Sequence, residues 1–200
     1  PIYLISVREL QEAAAGGILF LTSLGMGIAA QGSGRLSDRF GPRRFSLMGF
    51  GVMVCTAFAL SFIGETTQFW AIMVVLFING LSMGLWNVPN NAMIMGAVPA
   101  ARLGVVGALS NLTRNVGNVV GQAVASGVVV AVMASQGFDV PLSKIAETPE
   151  AAGAFMDGWR LAYLLATAYV GMALLMTYFT RPAEERSATK LDGSTVPTQR

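Results

Sequence analysis

Five stretches of this 200-residue chain carry no charge: residues 13–34, 45–64, 66–101, 115–138 and 161–180. Each matches or exceeds the ~20 apolar residues with which a helix crosses a ~30 Å hydrocarbon core. A soluble domain can hide one such run in its interior, but hardly five in succession. Charged residues make up 12% of the chain, about half the share of an ordinary soluble domain, and they cluster between the runs. Membrane barrels require alternating segments of about ten residues, whereas these runs are continuous. In lipid each such segment must satisfy its own backbone, and only a helix does so. The expected fold is an all-α polytopic membrane protein with five complete transmembrane helices, at about 13–34, 45–64, 69–97, 104–134 and 160–180. Residues 1–182 form the helical bundle on this reading, and residues 183–200 form a polar, disordered tail.

Composition excludes several functions. The net charge of +2 is divided among inter-span segments, so no basic patch for nucleic acid is expected. The single cysteine, Cys55, lies within an apolar run, which leaves neither a disulfide framework nor a cysteine-rich metal site. With no histidine in the chain, His-based triads and His metal ligands are excluded. The acids lie in the connections, so no pair is set for general acid–base work. Gly25-Met26-Gly27 lacks the strand–turn–helix context of a dinucleotide site.

Lys and Arg set the expected orientation. Arg35, Arg39, Arg43 and Arg44 follow the first span, Arg102 follows the third, and Arg181, Arg186, Lys190 and Arg200 follow the fifth. The alternate connections hold Glu9 and Glu12, then Glu65, then Asp139, Glu147, Glu150 and Asp157 against Lys144 and Arg160. All the Arg-rich segments fall on one side, which the positive-inside rule makes cytoplasmic, together with the C-terminus. In the acidic connection, Thr148-Pro149-Glu150 reads as the start of a short separate helix. The chain begins at Pro1, and its opening "PIYLIS" reads as the end of an apolar segment, so an N-terminal part is expected to be missing.

Small and polar residues mark the spans. Gly25, Ala29 and Ser33, then Gly80 and Gly84, then Gly117, Gly121 and Ala125 stand four apart. Such columns let helices approach closely in a bilayer. Asn111, Asn115, Asn118 and Gln122 share one face of the fourth span, with Arg114 in the next column. The stripe either lines a cavity or bonds across helices. Arg114 lies either near the midplane, about 18 Å beyond Arg102, or at the interface, snorkelling towards headgroups. In the third span Asn79, Met83, Trp86 and Asn90 share one face, and Gly80, Gly84, Asn87 and Asn91 the next. Pro89 predicts a kink there. Asn90 and Asn91 also suit a plainer role, satisfying carbonyls freed around that proline.

The segment after the first span reads Gly34-Arg35-Leu36-Ser37-Asp38-Arg39-Phe40-Gly41-Pro42-Arg43-Arg44. It resembles the signature loop of the major facilitator superfamily, Gly-x-x-x-Asp-Arg-x-Gly-x-Arg-Arg. Gly34, Asp38, Arg39, Gly41, Arg43 and Arg44 match, and Pro42 replaces a frequently basic residue. The third span, "VPAARLG" and "GWRLAYLL" are similar to the drug:proton antiporter branch with fourteen spans. The fourth span reads Gly117-Asn118-Val119-Val120-Gly121 without the Gly-Pro of that branch's N-terminal half, which implies the C-terminal half.

The resemblance implies half of a secondary transporter, not an enzyme, in a major-facilitator-type bundle of a bacterial inner membrane. It would export multiple drugs or other small molecules by alternating access. The motif would act as a gate, with Asp38 accepting bonds from Arg39 or Arg43. Asn79, Asn87, Asn111, Arg114, Asn115, Asn118 and Gln122 would line the substrate cavity. No cofactor is implied: a proton gradient would supply the energy, through a carboxylate in the missing N-terminal half. That half, membrane lipids and a small-molecule substrate are the expected partners. A carrier of a polar metabolite and a non-transporting oligomeric scaffold are the alternatives.

Overall fold

The computed structural model describes residues 3–7, 10–64, 67–142, 145 and 148–179. After a π-helical turn at Tyr3–Val7, five long helices follow: α1 Glu12–Phe40, α2 Pro42–Ser61, α3 Phe69–Gly96, α4 Leu103–Ser135 and α5 Ala152–Phe179. All five are long and apolar enough to cross a membrane, and no strand occurs among the described residues. They run alternately up and down. One end of the set therefore holds the α1–α2 and α3–α4 connections, and the other holds the α2–α3 and α4–α5 connections. The first is called here the arginine end and the second the tryptophan end. The expected tail, residues 183–200, lies outside the described residues.

Three helices differ from expectation, α2 by running Pro42–Ser61 where 45–64 was expected. α1 continues through the charged motif to Phe40, because nothing before Gly41 stops a helix. Gly41 adopts φ 93 and ψ 132 and donates its N–H to Ser37 O at 2.8 Å. Side chains rarely tolerate that backbone, and Pro42 disfavours the α region for the residue before it. Proline also suits the first position of α2. The expected loop is thus a one-residue corner between two helices. α5 starts at Ala152, ahead of the expected 160. The segment read as a separate short helix is a 3₁₀ turn, Pro149–Ala151, that runs straight into α5. Buried Ala151, Ala154 and Phe155 anchor this early start, and it brings Asp157 into the helix.

Contacts are most extensive between α1 and α3, then α2 and α3, α2 and α5, and α4 and α5. The α1–α3 seam depends on absent side chains. A Cβ on Gly25 would lie 2.5 Å from Phe77 O, and one on Gly84 2.5 Å from Met26 O. A Cβ on Gly80 would overlap the Thr22 carbonyl. Backbone meets backbone here, as expected where dispersion and short polar contacts hold helices together without a hydrophobic drive. Ser33 Oγ adds a buried 3.1 Å bond to Gly84 O.

Apolar burial concentrates at the tryptophan end, around Tyr3, Leu4, Leu60, Ile63, Met133, Ile145 and Phe155. The Tyr3 ring lies 5.3 Å from that of Trp159. Trp159 Nε1 donates to Leu60 O at 3.1 Å, and Tyr3 Oη to Gly64 O at 3.0 Å. Both donors therefore bond to α2's terminal turn or the residues just after it, where carbonyls lack helical partners.

Candidate functional site

The first polar group at the arginine end is the corner itself. Arg43, in the first turn of α2, donates from Nη2 to Tyr178 O at 2.7 Å. Tyr178 lies in the final turn of α5, whose last carbonyls have no partner within the helix and form the negative end of its dipole. The corner therefore reaches a third helix. Arg35, Arg39 and Arg44 are exposed. Asp38 belongs to the last turn of α1, but its side chain, and hence the expected Asp38–arginine contact, lies outside what the structure describes. The two glycines of the motif differ in kind. Gly41 is required by its backbone, whereas a Cβ on Gly34 would make only an ordinary 3.8 Å contact with Val88.

The second group ties α3 to α4. Arg114 Nη1 donates to Asn87 Oδ1 at 3.0 Å, and Nη2 to Asn91 Oδ1 at 2.9 Å. Asn91 Nδ2 in turn donates to Asn87 Oδ1 at 2.9 Å. The spacing of Asn87 and Asn91 puts both amides on one face of α3. A guanidinium can only donate, so both amides present their oxygens to it. Asn91 is thus a partner of Arg114; its amide does not serve the carbonyls around Pro89. Its four-residue spacing from Asn87 was the available signal. Asn91 lies five residues before Gly96, about 8 Å along the axis of a helix about 42 Å long. The cluster therefore occupies the arginine-end third of α3.

The other expected cavity residues separate. Asn79 turns to α2, donating from Nδ2 to Thr56 Oγ1 at 3.1 Å, a partner that helix periodicity cannot reveal. Asn111, Asn115, Asn118 and Gln122 are exposed along α4. No hydrogen bond joins their side chains to another described residue. Trp86, on the Asn79 face, stacks on Phe50 with ring centroids 5.2 Å apart. Pro89 is fully buried within a continuous α3. Of the seven residues, the structure brings together Asn87 and Arg114, and adds Asn91. No cluster of His, Cys, Asp or Glu capable of holding a metal occurs among the described residues.

Comparison with known proteins agrees with this architecture. The chain is 28% identical over 123 residues to the riboflavin transporter RibZ of Clostridioides difficile, covering 62% of this chain and 27% of that protein. It is 27% identical over 192 residues to an uncharacterized MFS-type transporter, YcnB, of Bacillus subtilis, covering 94% and 39%. A tetracycline resistance determinant of Streptomyces rimosus is 27% identical over 150 residues, covering 74% and 40%. The chain thus spans between about a quarter and two fifths of the length of these relatives. Residues 1–198 match the family described as the Major Facilitator Superfamily. With five membrane-crossing helices and the signature motif at the α1–α2 corner, the chain belongs to the Major Facilitator Superfamily.

Proposed function

We propose that this chain is the C-terminal half of a proton-coupled exporter of small amphipathic compounds, in the fourteen-span antiporter branch. The observation that carries the reading is the motif corner. It joins α1 to α2 through Gly41 alone and reaches α5 through Arg43. Three helices coupled at one end suit a bundle that rocks between two states. The relative named as a tetracycline resistance determinant supports export. The arginine end faces the cytoplasm of a bacterial inner membrane, as does the C-terminus.

On this reading Asn79, Asn87, Asn111, Arg114, Asn115, Asn118 and Gln122 serve the substrate path. The exposed amides of α4 face a cavity completed by the N-terminal half. Among the described residues, Glu12, Asp38 and Asp157 stand near helix ends, so the proton-carrying carboxylate belongs to that other half. The test is Asp38→Ala in the complete protein: with expression kept, proton-driven drug efflux is expected to disappear, and unchanged efflux would refute the gate. The relative named as a riboflavin transporter favours a second reading, a carrier of a polar metabolite. Drug-driven proton release from proteoliposomes supports the first reading; metabolite uptake indifferent to drugs supports the second.

A further inference from the structure

The Arg114 cluster has an imbalance that its own bonds leave unresolved. A guanidinium offers five N–H donors and no acceptor; two are used, on Asn87 and Asn91. Asn87 Oδ1 receives both Arg114 and Asn91, filling its two lone pairs. Asn91 Oδ1 receives Arg114 and has one lone pair left. Three guanidinium N–H groups, both of Asn87 Nδ2 and one of Asn91 Nδ2 therefore have no acceptor among the described residues. No carboxylate among the described residues bonds to Arg114. The site carries a full positive charge on a half-buried side chain, held by two neutral amides on the neighbouring helix.

We propose that Arg114, Asn87 and Asn91 form a receptor for an oxyanion, a carboxylate or a phosphate, entering from the exposed face of α4. Ligand class follows from the count: six donors, one spare lone pair and a net positive charge favour an anionic acceptor over a cation or a neutral donor. Asn87 and Asn91 hold the guanidinium through two of its N–H groups and leave the other three for a ligand. Charge-assisted, bidentate contacts of this kind are the strong ones. The anion has two possible sources, the acidic group of a transported compound and the headgroup of an anionic lipid. For the first source, the inference rests on the carrier reading above.

The complete protein, reconstituted in phosphatidylcholine nanodiscs, is titrated calorimetrically with decanoate and with its neutral analogue decanamide. Decanoate is expected to bind about tenfold more tightly, as one charge-assisted contact would give. Arg114→Gln should abolish that preference, and Arg114→Lys should keep part of it. Asn87→Asp keeps side-chain shape while supplying an internal counter-ion, and should abolish the preference even if Arg114→Gln misfolds. A second set of nanodiscs contains phosphatidylglycerol, with retained lipid read by native mass spectrometry. Retention of phosphatidylglycerol over phosphatidylcholine, lost in Asn87→Asp, identifies the lipid as the source. Absence of any charge preference in both arms overturns the proposal. So does a preference that survives both Arg114→Gln and Asn87→Asp. Proton-driven drug efflux without anion binding sinks the receptor and leaves the carrier; anion binding without transport does the reverse.

Discussion

The chain carries two glycine columns with the same four-residue spacing and opposite surroundings. Gly80 and Gly84 of α3 meet the backbone of α1 so closely that a Cβ would collide with a carbonyl. Gly117 and Gly121 of α4 would meet nothing within 4 Å. α4 packs against α5 at another glycine, Gly158, whose Cβ would lie 2.8 Å from the Cα of Val129. In a bilayer no hydrophobic force draws helices together, so close approach is the main route to packing energy. The pattern in the sequence marks where approach is permitted, and the neighbouring helix decides whether it occurs.

Substitutions can break this contrast, and the largest effect belongs to the seam. Gly80→Val should cost about 3 kcal/mol or more, because the α1 backbone has to move; size-exclusion profiles and thermal melts of the purified protein would show it. A well-folded variant would mean that the seam is looser than the geometry. Gly158→Ala should cost about 1–2 kcal/mol at the α4–α5 contact, read as a lowered melting temperature. Ser33→Ala removes one buried bond to Gly84 O and should cost about 1 kcal/mol. Gly121→Ala should stay within about 0.5 kcal/mol, as at open surface positions. A clear loss at Gly121 in the complete protein would show that elements outside these 200 residues cover this face of α4.

The five spans were legible because charge-free length is sufficient to define a membrane helix. Their ends at the α1–α2 corner and the start of α5 were not. The charges of Arg35, Asp38 and Arg39 suggested a loop, yet their backbone continues α1 until Gly41 and Pro42 stop it. At α5, buried apolar residues, Ala154 and Phe155 among them, extend the helix past the point where charge suggested it begins. The polar residues divide in the same way. Helix periodicity put Asn87 and Asn91 on one face, because that relation is internal to α3. That Arg114 of α4 meets them, while Asn79 meets Thr56 of α2, depends on how helices cross. Tyr178 O as the acceptor for Arg43 was beyond reach for a stronger reason: a backbone carbonyl carries no residue signature.

The corner at Gly41 has a mechanical consequence. Helices of 29 and 20 residues meet through a single residue, and successive Cα atoms are only about 3.8 Å apart. A long loop would deform and absorb the swing of either helix; this connection has no length to spare. A tilt of α1 must either twist the two backbone angles of one glycine or turn α2 with it. Arg43, in the first turn of α2, is bonded to the end of α5. The arginine end thus joins α1, α2 and α5 through one glycine and one hydrogen bond.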